Sequence, residues 1–331
     1  VILSGSLFGL AAGLFWGLVF VVPLMLPEYP AAVQSVARYL AFGLICLPLA
    51  WLDRKALAAL SRADWRAALH LSLVGNLCYY SFLAASIQRT GGPVTTLIIG
   101  TLPVVIAITA NLQARGAIGR HHGQTAEERV AWSRLLPPLT LILIGISLVH
   151  QEEYAAVTAS GRSPSEFLLG VLLALGALVC WTWYPLRNAA WLRGHPGRQP
   201  RVWATAQGLA ILPVLLVAYA MLWWGLPDAG AESFAMPFGP DPVVFIGLML
   251  LLGLVASWLG TVCWNAASQR LPPTLAGPLI VFETLAALAY TYVWRGQWPE
   301  APTLVGIAFL VLGVVWGVRI GVNPRATLIV T

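Results

Sequence analysis

The stretch Ala267–Trp294, ASQRLPPTLAGPLIVFETLAALAYTYVW, reads as a membrane-spanning helix introduced by Pro272-Pro273, with one carboxylate, Glu283, near its middle. Every other Asp or Glu falls in or beside a predicted loop. A carboxylate at bilayer depth is costly, so it faces the protein interior and marks a substrate or proton path, or a structural bond to a neighbouring helix. The stretch has an echo earlier in the chain. Gln88-Arg89 and the following GGPVTTLIIGTLPVV match Gln269-Arg270 and the following LPPTLAGPLIVFETL, which sets Leu102 on Glu283 and Pro103 on Thr284. Two copies of one unit are expected, and their relative orientation decides the fold.

Of the 331 residues, 59% are hydrophobic and only 10% charged, against roughly 25% charged in soluble domains. The apolar runs are continuous over the length of a spanning helix, where a transmembrane barrel would alternate in segments of about ten. An all-α membrane protein is therefore expected. The net charge of +6 comes from short loops between spans and gives no reason to expect nucleic acid. The first apolar run carries no small-residue cleavage site and leads directly into a second span, so it reads as a helix and not a signal peptide.

Ten spans are predicted, at 4–26, 31–52, 67–88, 92–112, 133–150, 166–186, 202–224, 242–268, 273–294 and 301–321. With the N-terminus placed inside, fifteen Lys and Arg fall in inside segments and three in outside loops, with Arg38 within the second span. That bias predicts cytoplasmic termini. Ten spans in two copies give five per copy, 1–150 and 151–331, and an odd number inverts the second copy relative to the first. Inverted repeats are a common build of secondary transporters, whose substrate site lies near the midplane between the halves.

Ten helices, inverted five-helix halves, and TLP in the fourth helix facing FET in the ninth resemble the drug/metabolite transporter superfamily. Within it the chain looks most like the bacterial amino-acid and drug exporters, the aromatic amino-acid exporter branch in particular. Many relatives carry Glu-Pro in the ninth helix, where Thr284 follows Glu283 here. The resemblance implies alternating access through a cavity lined by helices one, three, four, six, eight and nine. It also implies residence in a bacterial inner membrane and export of neutral amino acids, aromatic ones favoured.

Mid-depth residues supply the candidate site. In the first span Gly9, Gly13, Trp16, Gly17, Phe20 and Pro23 share a face by helical spacing, and the Gly-x-x-x-Gly steps allow close packing inside the protomer. Trp16 stands at the edge of that contact. The third span offers Asn76, Tyr79 and Tyr80, the fourth Thr101, and the sixth Trp181, Trp183, Tyr184 and Pro185. The eighth offers Trp258, Thr261 and Asn265 on one stripe. With Glu283 these make a box of rings with a few polar groups, suited to a flat, mostly apolar solute or, by ring faces, to an ammonium group. Each ring alone reads equally well as packing, and Trp51, Trp65, Trp223, Trp224, Trp294 and Trp298 near span ends read as interfacial anchors. Glu283 keeps three readings: binding a substrate amino group, carrying a coupled proton, or bonding a neighbouring helix.

Other classes find less support. An intramembrane transferase needs clustered acids or histidines, and here Asp53, Asp64, Asp228, Asp241, Glu127-Glu128 and Glu152-Glu153 are dispersed. No enzyme activity, metal or cofactor is expected, and no Walker-type phosphate loop occurs. His70, His121-His122, His150 and His195 have no metal-binding spacing. Arg38 reads as a side chain that snorkels outward, and Cys46, Cys78, Cys180 and Cys263 as small buried hydrophobes. The alternative substrate class is organic cations, with Glu283 as counter-charge. The glycine faces of spans one and ten (Gly313, Gly317, Gly321) fit packing within a monomer or between protomers.

Overall fold

The computed structural model describes residues 2–26, 28–90, 131–149, 164–225, 234–271, 276–296 and 298–322, with single positions between 95 and 112. No strand occurs among the described residues. The first rods are α1 (Ile2–Met25) and α2 (Ala31–Leu52), followed by a short α3 (Arg54–Ala58). The third rod is continuous: α4 (Arg62–Ser72) passes through a π-helical stretch, Leu73–Cys78, into α5 (Tyr79–Thr90). The described positions between 98 and 112 are mostly helical. Then come α6 (Trp132–Val149), α7 (Pro164–Gly194) and α8 (Pro200–Gly225). The eighth rod is built like the third: α9 (Pro242–Leu251), a π-helical stretch Leu252–Leu259, and α10 (Gly260–Arg270). α11 (Ala276–Arg295) and α12 (Ala301–Val322) complete the chain.

Among the described residues, six rods are long and apolar enough to cross a membrane, and the apolar parts of α11 and α12, Leu279–Trp294 and Ala301–Gly317, are shorter. With the third rod and the helical positions between 98 and 112 they fill the ten expected places. Two spans differ in extent from expectation. The third begins at Arg62, where Ser61 caps the helix, and the sixth continues to Gly194 because its last turns pack against other helix ends instead of meeting lipid. The boundary at 150, Pro103 and Pro272-Pro273 lie outside the described residues.

Inversion of the halves follows from which ends meet. The third rod starts beside His195 and Arg198, both near Asp64, and ends beside Gly170, whose missing side chain admits Thr90. The eighth rod runs the other way: Asp241 at its start meets Tyr29, and Gln269 at its end donates to the Arg198 carbonyl. Packing mirrors this. α1 lies on α10 as α7 lies on α5, while α2 pairs with α8 and α6 with α12. Both rods that mirror each other carry a π-helical stretch near their middle, and such stretches often occur at functional sites.

The helices are apolar all round, so periodicity does not select the buried face. Small residues do, since lipid is as apolar as leucine and close backbone approach provides the attraction. Along α1 the faces of Gly5, Gly9, Gly13 and Gly17 meet Leu271, Leu279, Phe282 with Glu283, and Ala286. Gly145 of α6 and Gly306 of α12 meet backbone to backbone, and Gly313 meets Ile142. The glycine faces of the first and tenth spans are thus used within the protomer at Gly9, Gly13, Gly17 and Gly313. Large side chains on the outer faces, such as Leu3, Val179, Met221 and Val243, are exposed as lipid-facing residues should be. Trp51, Trp223, Trp224, Trp294 and Trp298 are also exposed, whereas Trp65 packs half-buried on the core.

Candidate functional site

The centre of the bundle is aromatic. The close fit of α1 on α11 fixes Trp16, which is 6% exposed. Its ring meets Trp181 of α7 edge-on at 5.7 Å and Trp264 of α10 at 5.3 Å. Trp181 in turn stacks on Tyr79 at 4.8 Å and on Tyr184 at 5.3 Å. Glycines admit the rings: a Cβ on Gly260 would stand 2.6 Å from the Trp16 indole nitrogen, and one on Gly75 would run into the Tyr184 ring. Gly75 lies in the first π-helical stretch and Gly260 directly follows the second. The altered winding and the missing side chains thus occur together where the rings gather.

Of the expected residues, Trp16, Tyr79 and Trp181 touch in one cluster. Glu283 reaches the same region from α11: its backbone nitrogen lies against Gly13, one turn before Trp16 on α1, and its side chain is half-buried. Asn76 sits half-buried in the first π-helical stretch, and Trp183 packs at the edge of the main core. Tyr80 and Trp258 pack in a neighbouring cluster around Phe42 and Cys46, where the Trp258 indole donates to Thr205 Oγ1 at 3.1 Å. Thr101 donates to the Ile98 carbonyl at 2.7 Å, a local bond that any threonine in a helix can make.

Three expectations are corrected. Arg38 does not snorkel outward. It is 7% exposed, donates through Nε to Ser257 Oγ at 3.1 Å and lies over the Tyr39 ring at 4.7 Å. Its helix packs on the second π-helical stretch, so the stem points into the bundle. Asn265 shares no stripe with a cavity: it is fully buried and bonds Asn188 and the Pro200 carbonyl. Cys78 is exposed, unlike Cys46 and Cys180. Trp264 went unnoticed in the sequence because it lies between the polar positions of its helix. The Tyr290 hydroxyl, two turns along α11 from Glu283, donates to the Leu14 carbonyl at 3.2 Å. His121-His122 and His150 lie outside the described residues, and no cluster of metal-binding groups occurs among the described ones.

One end of the bundle, rich in basic residues, is closed by polar contacts. Asn188 Nδ2 donates to Asn265 Oδ1 at 2.7 Å, and Asn188 Oδ1 accepts from Trp203 Nε1 at 2.9 Å and Gln207 Nε2 at 3.2 Å. Gln207 accepts from the Tyr184 hydroxyl at 3.1 Å, which joins this layer to the aromatic centre. Nearer the surface, Trp191 stacks on both Trp203 and His195, and Asp53 takes two bonds from Arg201.

Asp64 belongs to the same end. It completes a capping box with Ser61. Burial alone would raise its carboxyl, but bonds from the Ser61 backbone and hydroxyl, with His195 and Arg198 nearby, hold it below its ordinary value. A carboxyl depressed on folding contributes stability above its unfolded value, and that contribution disappears as pH falls through the folded value. Thermal unfolding in detergent should therefore lose an increment on acidification that Asp64→Asn lacks. The variant should be less stable at neutral pH by about 0.5–2 kcal/mol, the usual worth of a cap. Equal acid limbs in the two proteins would contradict this.

Comparison with known proteins agrees with this architecture. Residues 3–122 match the model of the EamA-like transporter family. The inner membrane protein YtfF of Escherichia coli (strain K12) is 50% identical over 317 residues, covering 96% of this chain and 95% of that one. The uncharacterized transporter YwfM of Bacillus subtilis (strain 168) is 25% identical over 314 residues, covering 93% and 92%. A protein crystal structure superposes with a TM-score of 0.66 at 15% identity, over 97% of this chain and 99% of that one, which speaks for the fold. The ten-place helical architecture and the half-identity to a full-length relative lead to one assignment: this chain belongs to the EamA-like transporter family.

Proposed function

We propose that this transporter exports neutral amino acids, aromatic ones favoured, by alternating access, with its basic end facing the cytoplasm of a bacterial cell. The observation that carries this reading is the meeting of Trp16, Tyr79 and Trp181 near Glu283, the half-buried carboxylate of α11. Flat rings favour a planar apolar side chain, and Glu283 offers a counter-charge to an ammonium group. The positive-inside rule supports the orientation, and the name of the 50% identical relative supports an inner-membrane location.

Purified protein in liposomes tests the reading, with the solute's own gradient as the driving force and a proton gradient added in a second arm. Phenylalanine should show saturable flux competed by leucine. Glu283→Gln should raise its KM by about 10–100-fold, the worth of a charge-assisted hydrogen bond of about 1.5–3 kcal/mol. Flux of an organic dication or of a sugar phosphate, with none of the amino acids, would overturn the assignment. Flux seen only under the proton gradient, with its pH dependence flattened in Glu283→Gln, would give Glu283 the coupling role.

A further inference from the structure

Among the described residues, Arg38 is a buried cation for which the packing offers no purely structural account. This chain pairs its structural charges directly: Arg201 grips Asp53 with two bonds, and Asp64 lies within 4 Å of both His195 and Arg198. Arg38 is as deeply buried as Asp53, yet its only hydrogen bond among the described residues runs from Nε to the neutral Ser257 Oγ. Neither a salt bridge nor a hydrogen bond joins it to Glu283 among the described residues. Burying a guanidinium without a directly bonded anion costs several kcal/mol, and a chain with no use for it would carry leucine there.

The surroundings suggest the use. The bond from Nε to Ser257, in the π-helical stretch of the eighth rod, and the Tyr39 ring at 4.7 Å fix the plane of the group. Nη1 and Nη2 remain, a planar fork that matches the two oxygens of a carboxylate. Ser257 stands one turn before Gly260, which faces the Trp16 indole, and Glu283 sits against Gly13, one turn before Trp16 on α1. A guanidinium and a carboxyl group are thus held apart inside the bundle, on either side of the ring that Trp181 joins to Tyr79.

We infer that Arg38 binds the substrate carboxylate, so that the site selects α-amino acids with both charges present over amines and amides of the same side chain. This rests on the amino-acid reading above and narrows it to zwitterions. It also explains why Glu283 would not admit organic cations freely, since a cation without a carboxylate meets the uncompensated charge of Arg38.

The deciding experiment uses the unmodified protein in liposomes and measures inhibition of phenylalanine counterflow by phenylalaninamide, phenethylamine and 3-phenylpropionate. All three should inhibit at least tenfold more weakly than phenylalanine itself. Arg38→Gln should then raise the KM for phenylalanine at least tenfold while strengthening inhibition by the amide, and Arg38→Lys should fall between. If the variants do not fold, the inhibitor series on the unmodified protein still decides. Phenylalanine and its amide inhibiting equally would overturn the role of Arg38 and leave amino-acid export standing. Absence of any amino-acid flux would overturn both readings.

Discussion

Gly17→Leu should yield no folded transporter, and Gly17→Ala should already lower the thermal stability measurably. At this position a Cβ would stand 2.7 Å from the Ala286 Cβ and 2.9 Å from the Ala287 nitrogen. The obstacle is backbone and a side chain of one carbon, so nothing can rotate aside. α1 and α11 must separate, and the row of contacts through Gly5, Gly9 and Gly13 separates with them. Overpacking a core typically costs about 1–3 kcal/mol when neighbours can adjust, occasionally more, and here four carbons enter a contact that holds none. The expected loss exceeds about 4 kcal/mol, read as failure to elute as a single species from size-exclusion chromatography. Gly247 in α9 is the control, because a Cβ there meets nothing within 4 Å. Gly247→Ala should be neutral or stabilise by about 0.5–1 kcal/mol through reduced backbone freedom. A folded, fully active Gly17→Leu protein would show that the two helices are not locked as described. The same contact has a functional side, since Gly13 lies on the backbone of Glu283. The glycine row sets the depth and rotation of the carboxylate.

The architecture was legible because membranes simplify the code. Long apolar runs and the distribution of arginines predict spans and ends, and the echo of Gln88-Arg89 in Gln269-Arg270 exposes the inversion. The glycines of the first span also showed where tight packing would fall. What stayed hidden were partners. Arg38 lies in a helix with few other polar residues, so outward snorkelling was the natural expectation, and only the position of Ser257 on a distant rod reveals an inward course. Asn265 shares helical spacing with Trp258 and Thr261, but the π-helical stretch through Leu259 alters the winding between Trp258 and Asn265, so spacing counted at 3.6 residues per turn misassigns the face. Trp264 illustrates the same limit: composition marks it as apolar, while its contact with Trp16 depends on that changed winding.

Asn188→Leu should be the most damaging polar substitution among the described residues. The amide is fully buried and engages three side chains from two other helices. Leucine fills a similar volume, so the loss is one of hydrogen bonds and not of packing. Two donors, on Trp203 and Gln207, and one acceptor, on Asn265, would be left buried without this partner. An abandoned buried group costs about 1–3 kcal/mol in water-soluble proteins, whereas side-chain bonds within membranes average about 0.6 kcal/mol. Asn188 lies near the basic end of α7, close to the connection and helix start that carry Arg198 and Arg201, and the larger scale is the better guide there. An overall loss of about 2–5 kcal/mol is expected, seen as a large drop in unfolding temperature in detergent. Adding Asn265→Leu should cost less than it does alone, because its strongest partner has already gone; contacting residues are non-additive in this way. The Gln207–Tyr184 bond carries the disturbance to the Trp181 stack, so the KM for phenylalanine should rise together with the loss of stability. Trp203→Phe, which removes one donor and keeps a ring against Trp191, should show a fraction of both effects. If Asn188→Leu were as stable as the parent protein, this polar layer would be incidental to the closed end, and the link from that end to the aromatic centre would fall with it.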